Sequence, residues 1–413
     1  MSKTSLRINS DRLHGRLAEL AAIGATPAGG VTRLALSDED KTARHLLIAW
    51  LTELDLAPRY DDLGNIWAVR HGAADLDPVL MGSHLDSVVQ GGRYDGALGV
   101  LAALEVLATL QDADVETTRP IGLVNWTNEE GVRFEPAMTS AGAVAGEFTA
   151  DWVLDRRDRD GIRFGDELQR IGFAGSASDR PHPGRYLELH IEQGPVLEAL
   201  GRPVGVVDGI VGITWSEVVI EGQPDHAGPS PMHLRRDALM AAAQLMLEIE
   251  QIAVRRDPTA VATVGRIAVE ANVINTIPGR VTFSVDFRHQ SPDILEAQIE
   301  QLHEAAANVG VHRSVDTDIN RFWTSAPTAF DPGVLAAIKA ATDLLDIPAH
   351  HQWSGAGHDA KYIADICPSG MIFVRSQGGL SHCEAEYSTP EDIEAGANVL
   401  LQAALTLAES PDV

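Results

Sequence analysis

Four short apolar runs in this chain each lead to a side chain able to ligate a metal ion, and that repetition restricts the folds open to it. VLMGS precedes His84, IGLVNWTN precedes Glu129 and Glu130, YLEL precedes His190, and His382 follows shortly after MIFVRS. Short apolar runs separated by helical periodicity read as buried strands of a doubly wound α/β layer. Open sheets of that kind carry their sites outside the carboxyl ends of the strands. The four groups are therefore expected to converge along one rim of one sheet.

The runs at residues 65–69, 79–81, 121–126, 187–189 and 371–374 are the expected strands. Helical periodicity appears around Leu13, Leu17 and Leu20 and again from residue 43 to 54, where Ser37 followed by Asp40 resembles a capping box. The longest apolar stretch, residues 97–110, is interrupted by Glu105 and falls short of the ~20 residues that a bilayer span requires, so it is expected to be a buried helix. Between residues 211 and 323 the pattern changes to strand (213–221), helix (235–253), strand (260–269), strand (280–287) and helix (292–309). That order suits an inserted α+β domain with a largely antiparallel sheet. The expected organisation is a catalytic domain assembled from residues 1–210 and 327–413, with residues 211–326 inserted between its halves.

The 413 residues are 45% hydrophobic, enough for each domain to bury a core. A formal charge of −27 and a pI near 4.8 argue against nucleic acid and against anionic membranes as partners. A small molecule fits better, and an anionic one needs a local cationic site. Cys367 and Cys383 are too few for a disulfide framework, and the N-terminal segment lacks an apolar export core, so a cytoplasmic location is expected.

His84, Asp95, Glu130, His190 and His382 together supply three imidazoles and two carboxylates, a set suited to a pair of zinc-like ions sharing the middle aspartate. Taken singly, each histidine reads as an ordinary hydrogen-bonded residue. For His84 the neighbours argue otherwise: Asp86, two residues on, can accept from the other ring nitrogen and fix the tautomer. Glycines at 91, 92 and 96 allow a tight loop around Asp95. Glu129 and Glu130 point in different directions at an extended strand end, so Glu130 can ligate while Glu129 remains free as general base and acid for a metal-activated water. Two dications, two carboxylates and a hydroxide leave a charge of about +1, which favours an oxyanion and polarises an amide-type carbonyl. The expected chemistry is hydrolysis.

The segments GSHLDSV, GGRYDGALGV, TNEEGVRF, LHIEQGPVLE, DHAGPSPM, VDFRH, SGAGHDA and GMIFVRSQGGLSH occur in this order over nearly the whole chain. In that order they resemble the zinc-dependent amidase family that contains N-carbamoyl-L-amino acid hydrolase, β-ureidopropionase and allantoate amidohydrolase. The resemblance implies a catalytic domain with a dinuclear metal site and an inserted lid-like domain that makes a homodimer. It implies two divalent ions per subunit, zinc first, with manganese, cobalt and nickel as alternatives. It pairs His84, Asp95 and His190 with one ion and Asp95, Glu130 and His382 with the other, leaving Glu129 catalytic. It also implies that His226 stabilises the carbonyl oxygen, that Asn275 and Arg288 grip a substrate carboxylate with the backbone of Gly357, and that Gln193 contacts the ureido group. Guanidinium binds carboxylate through two parallel hydrogen bonds, so Arg288 is the right residue type, although a sheet-surface ion pair is its bland alternative. Carboxylate-binding groups on a lid imply closure over the substrate.

Two departures from the family pattern stand out. Cys383 follows His382 directly where asparagine or proline is usual, and is read as a small buried thiol; MTSAGAVAG varies a pocket-wall segment. The expected reaction is hydrolysis of an N-carbamoyl-L-amino acid to the amino acid, carbon dioxide and ammonia, with β-ureidopropionate and allantoate as alternative substrates. A metallo-aminoacylase or peptidase would keep the metal set and change the acyl pocket. A catalytically silent binding paralogue would have lost a ligand or Glu129, and this chain has lost neither.

Overall fold

The computed structural model describes residues 3–410 and divides the chain into two compact units, residues 1–209 with 329–413, and residues 210–328. In the first unit the strands are β1 (Arg59–Tyr60), β2 (Ile66–Arg70), β3 (Val79–His84), β4 (Ile121–Trp126), β5 (Arg185–Ile191) and β6 (Val204–Ile210). Three more follow the second unit: β14 (Thr328–Ala329), β15 (Ala349–Ser354) and β16 (Ser369–Val374). They form one mixed sheet in the order β1-β2-β4-β3-β5-β16-β6-β14, with β15 also paired to β6. The central four strands, β4, β3, β5 and β16, run parallel, and β2 and β6 join them antiparallel on either side. Residues 79–84, 121–126, 185–191 and 369–374 are buried throughout, as strands covered on both faces must be.

Three early helices share the core of this unit, and their sequences show why. Helix α1 (Ser10–Ala21) buries Leu13, Leu17 and Leu20, and α2 (Asp38–Glu53) starts at Ser37, whose hydroxyl accepts from the Asp40 N–H at 3.1 Å. The capping box is incomplete, because the Asp40 carboxylate accepts from Leu36 N–H rather than returning to Ser37. Helix α3 (Ala97–Asp112) is the stretch interrupted by Glu105, and residues 97–110 are buried on every side. Glu105 survives there because Arg12 of α1 meets both of its oxygens, at 2.7 and 2.8 Å, and the Asn9 N–H adds a third bond. A buried charge is tolerable only with such partners. Two glycines let helices lie close to the sheet, Gly99 against the Leu189 carbonyl and Gly396 of the helix Pro390–Glu409 against Val374.

The second unit contains β7 (Gly212–Glu221), β8 (Asp225–His226), β9 (Val261–Thr263), β10 (Ile267–Val269), β11 (Thr276–Ile277), β12 (Arg280–His289) and β13 (Asp316–Ser325). Its five-stranded antiparallel sheet runs β10-β12-β7-β13, with β9 on β12, and β8 and β11 make a separate ribbon. Val281, Phe283, Val285 and Phe287 alternate inward to a core shared with the helices Ala238–Arg256 and Pro292–Arg313. The single strand expected over residues 260–269 is two, since the chain breaks at 264–266 and each half pairs a different part of β12. Strands β6 and β13 were not expected at all.

The tight centre of the first sheet makes a stability prediction. A Cβ on Gly82 of β3 would overlap the Val124 carbonyl of β4, whereas one on Gly15 of α1 meets nothing within 4 Å. Gly82→Ala should cost about 1–3 kcal/mol or more through overpacking, and Gly15→Ala should gain about 0.5–1 kcal/mol from helix propensity. Urea unfolding of the two variants against the parent measures both signs.

Candidate metal centre

The parallel strands β4, β3, β5 and β16 lie side by side, and their carboxyl ends deliver the expected groups to one place. His84 ends β3, Glu129 and Glu130 follow β4, His190 lies in β5 and His382 comes after β16. Asp95 enters from the loop before α3, where Gly96 takes φ 63° and a Cβ on it would fall on the His84 ring. That position tolerates no side chain.

Asp95 faces two groups at once. Its Oδ1 lies 3.7 Å from His84 Nε2 and 3.2 Å from His190 Nε2, while its Oδ2 lies 3.5 Å from His382 Nε2, which in turn is 3.5 Å from Glu130 Oε2. Donors about 2.0–2.2 Å from a tetrahedral ion stand about 3.3–3.6 Å from one another. The triads His84–Asp95–His190 and Asp95–Glu130–His382 therefore match the spacing of two ligand sets with Asp95 in common.

Main-chain carbonyls behind the first triad fix ring orientation. His84 Nδ1 lies 2.8 Å from the Asp86 main-chain carbonyl and His190 Nδ1 lies 2.9 Å from the Ile191 carbonyl, so each directs Nε2 at Asp95. This corrects the expected role of Asp86. Its carboxylate stands 3.9 Å from His84 Nδ1, too far for a hydrogen bond, and accepts instead from the N–H groups of Glu129 and Glu130 at 3.2 and 3.3 Å. Asp86 thus orients both the imidazole, through its backbone, and the glutamate pair, through its side chain. Asn128 turns the chain at that point with φ 61°, its amide donating to the Phe134 carbonyl and to Thr139. Glu129 Oε2 then lies 3.6 Å from His84 Nε2, while Glu130 faces His382.

Electrostatics favour a cation here. Burial, followed by Asp359 and Asp86, pushes the Glu129 carboxyl well above its ordinary range; burial, Asp95 and Glu129 do the same to Glu130. Burial, then Asp40, raises Asp86 to about 7, and Glu130 Oε1 is buried with no hydrogen-bond partner. Burial lowers His84 to about 4, which keeps it neutral, as a ligand must be. His190 is raised to about 9: burial opposes its charge, but the hydrogen bond and charge of Asp95 outweigh it. So many carboxyl groups crowded into a buried site suit divalent ions. The donor set fits them, with imidazole nitrogens and carboxylate oxygens and no thiolate.

The remaining expected residues are placed as follows. Gln193, at φ 56°, donates from Nε2 to Asp95 Oδ2 at 2.9 Å, so its amide is engaged with the shared carboxylate. Gly357 lies half-buried after β15, and a Cβ there would sit 2.9 Å from Met138 Cε. In the second unit, His226 and Thr276 are paired across the β8–β11 ribbon and the Asn275 carbonyl accepts from Ala227 N–H at 3.0 Å, which makes His226 and Asn275 neighbours. His226 is exposed, and its Nδ1 accepts from Gly228 N–H at 3.0 Å, leaving Nε2 as the donor of the neutral ring. Arg288 extends from β12 and pairs with Asp286 at 2.7 Å, the sheet-surface ion pair that was its alternative. Cys383 is only partly buried, contrary to expectation. Residues not anticipated include Glu188, which accepts from Ser83 at 2.7 Å and from Ala360 N–H at 3.0 Å behind His190, and Glu386 beside Asp95. Glu188 stands two residues before His190 on the same strand, inside an apolar run that carries no sign of an acid with a role.

Comparison with known proteins identifies the family. The model of peptidase family M20/M25/M40 matches residues 80–406. An N-carbamoyl-L-amino acid amidohydrolase of Geobacillus stearothermophilus is 41% identical over 97% of this chain and 99% of its own. An allantoate amidohydrolase of Bacillus subtilis is 33% identical over 92% and 93%. The crystal structure of a hydantoinase/carbamoylase family amidase from Burkholderia multivorans has a TM-score of 0.96 and 45% identity, covering 99% of this chain and all of that one.

A ligand that binds only the folded state raises stability by mass action, by about 2.7 kcal/mol at a concentration 100 times its dissociation constant. Zinc added to chelator-treated protein should raise the melting temperature, and His84→Ala or Glu130→Ala should remove part of that rise. Differential scanning calorimetry with elemental analysis checks it; an unchanged melting temperature would exclude an ion at this cluster.

Proposed function

This chain belongs to peptidase family M20/M25/M40 and to its hydantoinase/carbamoylase amidases, and we propose from that premise that it hydrolyses the ureido group of an N-carbamoyl-L-amino acid. It is an amide-bond hydrolase; the substrate is the proposed part. The observation that carries the reading is Asp95, whose two oxygens face two histidine-containing triads with Glu129 unassigned to either.

In this reading His84, Asp95 and His190 would hold one divalent ion and Asp95, Glu130 and His382 another. Such ions supply Lewis acidity, polarising a carbonyl and acidifying water. Glu129 receives a proton from the attacking water and delivers it to the departing nitrogen, and its 3.6 Å separation from His84 keeps it beside the centre without belonging to a triad. The water oxygen bonds to the ureido carbon and one C–N bond breaks, releasing one nitrogen; the carbamic acid left on the other nitrogen then loses carbon dioxide as the second C–N bond breaks. The balance is one ureido acid and one water giving one amino acid, one carbon dioxide and one ammonia. His226 offers Nε2–H to the carbonyl oxygen, a role consistent with the tautomer that Gly228 selects. Arg288 and Asn275 hold the substrate carboxylate, with Asp286 keeping the guanidinium extended beforehand. The backbone of Gly357 assists. Zinc is the proposed metal and a homodimer through the inserted unit the proposed assembly.

The Bacillus relative's substrate, allantoate, also joins ureido and carboxylate groups, so a panel decides between them. Ammonia release should be greatest from N-carbamoyl-L-amino acids when compared with β-ureidopropionate, allantoate and N-acetyl amino acids, each with zinc, manganese, cobalt or nickel; amine release from N-acetyl compounds alone would overturn the assignment. Glu129→Gln should retain its metal and lose about 10²–10⁴-fold in kcat, as removal of a general base does. Arg288→Lys should raise KM for carboxylate substrates with less effect on kcat, since ammonium loses the two-pronged contact. Steady-state kinetics with metal analysis of both variants checks these outcomes.

A further inference from the structure

Glu386 is buried, with 4% of its surface exposed, four residues after His382, and no step above uses it. Its Oε1 accepts from the backbone N–H groups of Tyr94 and Asp95, both at 3.2 Å. Its Oε2 lies 3.0 Å from the Ser381 hydroxyl, and that same hydroxyl lies 3.1 Å from Asp95 Oδ2, the oxygen facing His382. Gly92 makes room for this carboxylate, which a Cβ at that position would overlap.

A hydroxyl has one proton to give, and a carboxylate oxygen has two lone pairs in its plane. Gln193 already donates to Asp95 Oδ2 at 2.9 Å. If Ser381 also donates there, both lone pairs are taken and the oxygen has none for a cation. If Ser381 donates to Glu386, one is free.

Resting on the dinuclear reading above, we propose that Glu386 is a positioning residue that draws the Ser381 proton away from Asp95 Oδ2 and so opens that oxygen to the second ion. Loop closure alone does not explain a carboxylate here. Glutamine would accept the same two backbone N–H groups through its carbonyl without the cost of burying a charge. Its NH2 group, however, would donate to Ser381 and force the serine proton onto Asp95.

That contrast supplies the experiment. Full-length protein stripped by chelator is titrated with zinc in competition with a chromophoric chelator, using wild type, Glu386→Gln, Ser381→Ala and the double variant, with melting temperatures taken on the metal-free forms. Glu386→Gln should keep its metal-free melting temperature and weaken the second zinc by about 10–100-fold, the usual cost of losing a group that supports a ligand. Ser381→Ala should bind both ions as wild type does, and the double variant should recover most of the lost affinity, because no serine proton remains to compete. Wild-type affinity in Glu386→Gln, or a double variant as weak as Glu386→Gln, overturns the proposal. Should Glu386→Gln fail to fold, Ser381→Ala decides alone: unchanged zinc affinity supports the proposal and a tenfold loss overturns it. A wild-type protein that takes up no zinc would instead overturn the metal reading, and this inference with it.

Discussion

Asp95 presents one oxygen to His84 and His190 and the other to His382, and much of the surrounding architecture serves to keep it between them. It occupies the loop into α3, where Gly96 permits contact with the His84 ring and Glu386 fixes the backbone. His84 and His190 sit on adjacent parallel strands, so their separation is set by a hydrogen-bonded ladder, while Glu130 and His382 come from the segments that follow β4 and β16. Where loops do contribute, at Asn128, Gln193 and His382, the backbone is held with positive φ, a conformation non-glycine residues adopt at an energetic cost that surrounding packing must meet.

The electrostatic consequence is a concentration of acid where burial disfavours charge. Glu129, Glu130, Asp86, Glu188 and Glu386 are all held above the ordinary carboxylate range, with burial the largest cause for each. A chain of formal charge −27 has no surplus of basic residues to neutralise them internally. Arginines are spent elsewhere: Arg12 on Glu105, Arg44 on Asp40, Arg375 on Asp392. A divalent ion held among them would supply the missing positive charge.

How much of this was legible in the sequence depended on whether a residue's job leaves a pattern. Strands buried on both faces announce themselves as apolar runs, so β3, β4, β5 and β16 could be read, and with them the placement of His84, Glu129, Glu130, His190 and His382. The strand Asp316–Ser325 could not, because it lies at a sheet edge with mostly exposed residues, and its charged DTDINR start resembles a loop. Glu386 was illegible for another reason. Its partners are main-chain N–H groups 291 and 292 residues away and a serine, and backbone acceptance leaves no signature in composition or spacing. Asp86 was found but given the wrong bond, since sequence proximity to His84 says nothing about which of its oxygens faces the ring.

Strand β16 lies between β5 and β6 in the sheet although it follows both by more than 150 residues of chain. On the ribosome, then, the inserted unit emerges whole while the larger sheet still has a slot at its middle. Only when residues 369–374 slide into that slot can His382 come within reach of Asp95. Contacts of such sequence separation are slow to form because the loop entropy must be met first. Assembly of the centre is thereby postponed until residues 369–382 have emerged, and a nascent chain stalled before them has no complete pair of triads with which to capture metal.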